Sequence, residues 1–255
     1  MKKLRTVAIV QARMGSTRLP GKVMLNIAGR PLLAYLIERI SRARTLDAVL
    51  VATTTNQRDN VIIEECEQRG IPNFRGSESD VLGRYISAAR ACEAEIIVRV
   101  TADSPFTDPA SIDRVVDAIT CEGADYALET NLPIGIAGEA LTWKAMAFID
   151  SIATTAALRE QVTVYAKENP QALRCAFLEP PPDCDREDLS FTVATLDEYL
   201  YARHIAEQFP STDFALKNLI AVADAAGAGA ENGPSTGTAT RIKSHSYDMR
   251  SLHGR

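Results

Sequence analysis

Histidine is scarce. The 255-residue sequence holds three, and two of them, His245 and His253, fall in a stretch rich in Gly, Ala, Ser and Thr that reads as a flexible tail. Only His204 is left for the folded body, so a histidine-built zinc site or a Ser-His-Asp triad has almost no material. The five cysteines (Cys66, Cys92, Cys121, Cys175, Cys184) are scattered, odd in number and without a Cys-x-x-Cys pair, which points to a reduced, cytoplasmic protein. No apolar run approaches the ~20 residues of a membrane span. Thr6–Val10 is too short for a signal-peptide core. A net charge of −5 argues against a generally basic nucleic-acid binder. Neither nucleic acid nor membrane is therefore expected as a partner. Hydrophobic residues at 46% and charged residues at 24% are ordinary for a globular chain and exclude a wholly disordered or collagen-like one.

Strand-like and helix-like segments alternate. Thr6–Gln11, Ala48–Ala52, Ile71–Phe74, Ile96–Val100 and Ala124–Leu128 read as short strands. Between them lie amphipathic segments: one opened by Pro31, then Asp59–Arg69 stopped by Gly70, Asp80–Cys92, and one capped by Asp108 with Pro109 at its first position. This alternation predicts parallel strands joined by right-handed crossovers, an α/β fold. Residues 129–195 are less regular and read as a small arm or lobe. Within them Trp143–Ile149 and Val162–Lys167 look helical, and Cys175–Leu178 and Leu189–Val193 look like strands. Leu196–Gln208 and Phe214–Ala225 read as closing helices. The expected division is one folded domain over 1–225 and a tail over 226–255. In such folds ligands bind beyond the carboxyl ends of the strands, so the loops there are the places to search.

Acidic residues are absent from the first 37 positions, which carry seven of the chain's 28 Lys and Arg. Three of these cations sit in the loop after the first strand, Gln11-Ala12-Arg13-Met14-Gly15-Ser16-Thr17-Arg18-Leu19-Pro20-Gly21-Lys22. Gly15 and Gly21 allow close backbone approach, Pro20 stiffens the turn, and Arg and Lys offer forked and point-charge donors. A polyphosphate is the anion that such a loop suits. The loop is not a Walker A sequence, because five residues separate Gly15 from Gly21 and Val23 follows Lys22. A Gly-x-Gly-x-x-Gly dinucleotide fingerprint is also missing.

Ile9-Val10-Gln11-Ala12-Arg13-Met14-Gly15-Ser16-Thr17-Arg18-Leu19-Pro20-Gly21-Lys22 resembles the signature of the sugar cytidylyltransferases. These include CMP-sialic acid and CMP-3-deoxy-manno-octulosonate synthetases and the spore-coat polysaccharide-type enzymes. The resemblance continues through Val51–Thr55, Arg75–Tyr85 and Val98–Pro105, and more weakly through Arg159–Tyr165. It implies a Rossmann-like three-layer nucleotidyltransferase fold with a mostly parallel central sheet. It also implies transfer of CMP from CTP to an acidic sugar with release of pyrophosphate, in surface polysaccharide or glycan precursor synthesis. Mg²⁺ is the implied cofactor and a homodimer the implied assembly. By this resemblance Arg13, Ser16, Arg18 and Lys22 contact the triphosphate and Gln11 and Ala12 lie near the base. Thr53 helps to shape the nucleotide pocket, and Ser77, Asp80 and Arg84 line the cytidine side. Ser77 and Asp80 suit a helix cap equally well. Asp103 is the metal candidate, with Arg13 and Lys22 beside it in catalysis, and Glu139 and Gln161 are assigned to the acceptor.

The match breaks on the metal and acceptor side. Where relatives carry Thr-Val-Asp-Thr-Pro-Glu-Asp, this chain has Thr192-Val193-Ala194-Thr195-Leu196-Asp197-Glu198, and alanine cannot coordinate a cation. Ala137 likewise stands in an expected Asp position, and Gln161 replaces a common His. Two readings follow: an active cytidylyltransferase, or a nucleotide-binding paralogue impaired in catalysis that serves as a regulatory or scaffolding subunit.

Overall fold

The computed structural model describes residues 5–230. Residues 231–255 of the expected tail, with His245 and His253, lie outside the described residues.

Among the described residues, nine strands and nine α-helices follow in chain order: β1 (Thr6–Gln11), β2 (Asn26–Ile27), β3 (Arg30–Pro31), α1 (Leu32–Ile40), β4 (Ala48–Thr54), α2 (Asn60–Gln68), β5 (Asn73–Gly76), α3 (Val81–Ala91), β6 (Ile96–Thr101), α4 (Pro109–Thr120), β7 (Tyr126–Glu129), β8 (Glu139–Thr142), α5 (Trp143–Ile152), α6 (Ala156–Gln161), α7 (Val164–Glu168), β9 (Cys175–Leu178), α8 (Leu196–Ala206) and α9 (Leu216–Ala230). The last helix runs past residue 225, where the sequence suggested an end. Seven strands form one sheet in the order β5-β4-β1-β6-β8-β7-β9. β5, β4, β1 and β6 are mutually parallel, β8 runs against β6 and β7, and β9 is parallel to β7. The sheet is thus parallel apart from β8. β2 and β3 form a separate small hairpin.

The core follows from strand alternation. Ala8 and Val10 of β1, with Val98 and Val100 of β6, face a cluster that includes Leu36 and Ile40 of α1, Ile62 of α2 and Ile112 and Val115 of α4. Val7, Ile9 and Ile97 point the other way, onto Leu82, Tyr85 and Ile86 of α3 and Met146 and Ile149 of α5. Both faces are apolar because both are covered, as a parallel sheet requires. The helix starts agree with the sequence: the Asp80 side chain accepts from Gly83 N–H and that of Asp108 from Ser111 N–H, with Pro109 at the first position of α4.

Residues 129–195 contribute β8 and β9 to the same sheet. The expected strand over Leu189–Val193 reduces to a single bridge between Ile134 and Ser190. Its residues serve a third cluster instead, where Phe191 and Val193 pack with Phe106 and with Ile205, Leu219 and Ile220 of the closing helices.

That cluster is held by a fully buried arginine. Arg39 donates to the carbonyls of Phe106 (3.3 Å), Thr212 (2.9 Å) and Phe214 (3.1 Å). Its guanidinium lies 3.9 Å from the centroid of the Phe214 ring and 3.5 Å from the buried Asp108 carboxylate. A charge removed from one side of such a pair leaves the other buried and uncompensated. Arg39→Leu is expected to lower unfolding stability by about 3 kcal/mol, read as a shift of the urea midpoint without a change of slope.

Candidate functional site

Parallel register sets the site. Gln11 pairs with Ala52 on one side and with Thr101 on the other, so β1 and β6 end at one level and β4 runs two residues further, to Thr54. Three loops therefore leave the sheet together, and Gly76 of β5, paired with Thr54, brings a fourth.

The loop after β1 is tied down from beneath. Ala12 N–H donates to the Ala52 carbonyl (3.2 Å), and Met14 N–H donates to Asp59 Oδ1 (2.8 Å). The Met14 carbonyl accepts from Ser16 N–H (3.0 Å) and Gly21 N–H (2.9 Å), which folds residues 14–21 into a closed turn. Gly21 has φ +72, the left-handed conformation that favours glycine. A short 3-10 helix over Lys22–Met24 follows. It places the Lys22 ammonium 2.8 Å from Asp103 Oδ2 and 2.7 Å from the Val193 carbonyl. The sequence reading missed Asp59. This residue is fully buried, and besides Met14 N–H it accepts from Thr53 Oγ1 (3.2 Å), from Thr54 N–H (3.3 Å) and from the Thr54 hydroxyl. Thr53 is likewise fully buried, its hydroxyl turned to Asp59. Arg13 and Arg18 are exposed at the loop surface, while Ala12 is buried.

A cavity of about 390 Å³ opens beside this loop. It gathers Gln11, Arg13 and Arg84 from the expected nucleotide side with Gln161 from the expected acceptor side, and adds Arg99, Thr163 and Lys167. Four of its lining side chains are cationic, against one acid, Glu160. Gln11 Oε1, Arg84 Nε and Arg99 Nε are buried without a hydrogen-bond partner. Each such atom costs about 1–3 kcal/mol if left unpaired, and all three belong to residues that line this one cavity. Arg84 also donates to the Ser77 carbonyl. Burial pulls its pKa down and nearby Arg13 adds to the effect, opposed by Tyr85, Asp59 and Glu78.

Ser77 and Asp80 act as a cap in this structure. Ser77 Oγ accepts from Asp80 N–H (3.0 Å), and Asp80 accepts from Gly83 N–H (2.9 Å). Both Asp80 oxygens also bind the Arg159 guanidinium, at 2.8 and 2.9 Å. Burial raises the Asp80 pKa, but Arg159 and the Gly83 amide outweigh it and hold the carboxyl below its usual range. Arg159 thereby fastens α6, and Gln161 at its end, to the start of α3.

Glu139, assigned by resemblance to the acceptor, lies next to the cavity rather than on its wall. It is buried and pairs across the strands with Arg99 (3.2 Å), while Lys167 and the Thr163 hydroxyl take its remaining acceptor positions. Burial alone would raise its pKa. The Arg99 and Lys167 charges and the hydrogen bonds from Lys167 and Thr163 outweigh that and hold it at about 2.

Asp103 is partly exposed and shares one carboxylate oxygen with Lys22. Val193 N–H donates to its carbonyl (2.8 Å), so Ala194 follows directly on this contact. Ala194 and Thr195 give their N–H groups to Glu198 Oε2 (2.7 and 2.8 Å). That carboxylate closes the capping box of α8, and Asp197 is exposed. Among the described residues no group of three His, Cys, Asp or Glu could hold a metal ion. Mg²⁺ is commonly held by one or two carboxylates plus substrate phosphates. Asp103 fits the one-carboxylate form of that arrangement.

The cytidylyltransferase family model matches residues 7–220. The chain is 34% identical over 217 residues to an uncharacterised protein of Methanocaldococcus jannaschii, covering 85% of this chain and 89% of that one. It is 35% identical over 196 residues to the spore coat polysaccharide biosynthesis protein SpsF of Bacillus subtilis, covering 75% and 82%. A solved cytidylyltransferase from Leptospira borgpetersenii superposes with a TM-score of 0.83 at 28% identity, covering 92% of this chain and all of the other.

The Glu139 network gives a prediction in pH. Its folded pKa lies below the unfolded value, so its stabilisation is complete above that value and is lost as pH falls. Between about pH 4.5 and 2 the wild type is expected to lose on the order of 3 kcal/mol through this group. Glu139→Gln is expected to be less stable at pH 7 and to lack that part of the acid limb, measured by urea unfolding across the range.

Proposed function

The chain belongs to the cytidylyltransferase family, and we propose that it transfers CMP from CTP to an acidic sugar with release of pyrophosphate, making a precursor for a surface polysaccharide or glycan. The observation that carries this reading is the cationic cavity with three unpaired buried polar atoms beside the β1 loop. The relative named for spore coat polysaccharide biosynthesis supports a sugar as the acceptor.

In the proposed reaction a sugar hydroxyl attacks the α-phosphorus in line and gives up its proton to solvent, the bond from the α-phosphorus to the α–β bridging oxygen breaks, and pyrophosphate leaves with that oxygen. Such a step needs positioning and charge neutralisation more than covalent help from the protein. Arg13, Ser16 and Arg18, with the loop amides that the turn leaves open, bind the triphosphate. Lys22 spends two of its three donors on Asp103 and Val193, leaving the third for a phosphate oxygen. Gln11, Ala12 and Arg84 lie on the nucleoside side, where Gln11 Oε1 and Arg84 Nε await partners. Arg99, Gln161 and Lys167 form the far wall, where an anionic acceptor suits the cationic lining. Thr53, Ser77 and Asp80 support this site from behind, through the Asp59 contact and the α3 cap. Mg²⁺, held by Asp103 together with the phosphates, supplies further neutralisation of the triphosphate when bound.

A second reading, nucleotide binding without turnover, is favoured by one observation: Ala194 supplies no side-chain oxygen next to the Asp103 contact, and Glu198 is committed to the α8 cap. The two readings separate in one assay. Incubation with CTP, Mg²⁺ and a panel of eight- and nine-carbon keto-acid sugars is expected to release pyrophosphate. Lys22→Ala is expected to lower kcat/KM about 100-fold or more, the scale of losing one preorganised donor. Ala194→Asp is expected to lower the Mg²⁺ concentration giving half-maximal rate. Thermal stabilisation by CTP with no release across the whole panel would decide for the second reading.

A further inference from the structure

Arg58 and Glu78 form an ion pair that lies across the phosphate loop. The Arg58 guanidinium donates to Glu78 Oε1, and Arg13 Nη1 lies 3.9 Å from the same oxygen. Asn56 Nδ2 holds the other oxygen at 3.4 Å. The pair sits directly on the loop backbone. A Cβ built at Gly15 would collide with the Arg58 guanidinium and come 3.0 Å from Glu78 Oε1. Arg58 is delivered there by its neighbours. Asn56 caps the turn by accepting from Arg58 N–H (3.1 Å), and adjacent Asp59 holds Met14 N–H of the loop at 2.8 Å.

Two guanidiniums from different segments thus converge on one carboxylate, over the loop read above as the polyphosphate site. A guanidinium fork fits phosphate as it fits carboxylate. The three side chains are one-third to one-half exposed, and an exposed ion pair is worth only about 0–1 kcal/mol. Such a pair yields readily to a more highly charged anion. We propose that Arg58 is a further polyphosphate-binding residue, and that Glu78 holds Arg58 and Arg13 over the loop until the β- and γ-phosphates displace its carboxylate. This rests on the reading of the loop as a nucleoside triphosphate site.

The test is calorimetric titration of the full chain with CTP and with CMP, for the wild type, Arg58→Ala, Arg58→Lys and Glu78→Gln. Thermal unfolding of each ligand-free variant checks that it folds. Arg58→Ala is expected to weaken CTP about tenfold, the scale of one lost charge-assisted pair, and to leave CMP within twofold. Arg58→Lys, with charge but no fork, falls between, and it carries the test alone should the alanine variant not fold. Glu78→Gln is expected to tighten CTP about threefold. Wild-type affinity for CTP in both Arg58 variants, or an equal loss for CTP and CMP, overturns the role of Arg58. Weaker CTP binding by Glu78→Gln overturns displacement and makes Glu78 a fixed part of the site. Each of these outcomes requires a wild type that binds CTP. A wild type that binds none sinks the triphosphate reading itself, and this inference with it.

Discussion

The Lys22 ammonium joins three parts of the chain that are far apart in sequence. It comes from the loop after β1, binds the carboxylate of Asp103 just beyond β6, and binds the carbonyl of Val193, which leads into α8. The ammonium is largely buried while its carboxylate partner stays partly open. A buried lysine needs such partners, because an unpaired charge there would cost several kcal/mol. The loop, the edge of the sheet and the closing helices are therefore not independent. Each supplies one partner, and the direction in which the loop points depends on all of them. Asp59 does the same at the other end by accepting from Met14 N–H and the ends of β4. Between these anchors the loop backbone is held in one direction, which is what electrostatic preorganisation requires.

A second constraint is the charge inside the sheet. Arg99 lies in the middle of β6, where a run of apolar residues would otherwise be expected, and burial opposes its charge. The cross-strand partner Glu139 raises its pKa again, and the same carboxylate takes Lys167 from α7. This places β8 in a structural role beyond filling the sheet. It carries the acid that lets two cations line the cavity without repelling each other. Glu139 absorbs part of their charge, and the remaining donors, Arg99 Nε among them, are directed elsewhere.

Much of this could be read before any coordinates. β1 and β9 have the bounds that apolar patterning assigns to them, and the α3 and α4 starts follow from Asp80, Asp108 and Pro109. The reason is local: short apolar runs and capping side chains write their signals within a few residues. β8 escaped because it is four residues long, begins with a glutamate, and runs directly into α5. Its strand character comes only from its neighbours β6 and β7. Leu189–Val193 showed the opposite failure. Its apolar residues suggest a strand, yet Phe191 and Val193 pack against the closing helices. Of the candidate site, Gln11, Arg13, Arg84 and Gln161 come together at one cavity, while Lys22 turns to Asp103 and Arg18 is exposed. Asp59 and Arg159 were invisible as supports, because an acid at a helix start and an arginine on a short helix reveal their partners only after folding.

Ala194 bears on how charge is shared around Asp103. A carboxylate at that position, next to Val193, would compete for the Lys22 ammonium, which already has one acid and one carbonyl. A second acid would draw its third donor away from substrate and hand the neutralising task to a metal. With alanine there, that donor stays open and the local negative charge is one unit smaller. Fewer anionic ligands weaken the hold on a divalent cation, while the cations around Asp103 lose a competitor. On the proposed reading, this shifts the neutralisation of the triphosphate from metal toward protein. The cationic wall of Arg13, Arg84, Arg99 and Lys167 is the feature that makes such a shift tolerable, because Arg84 is held by the Ser77 carbonyl and Arg99 and Lys167 by Glu139.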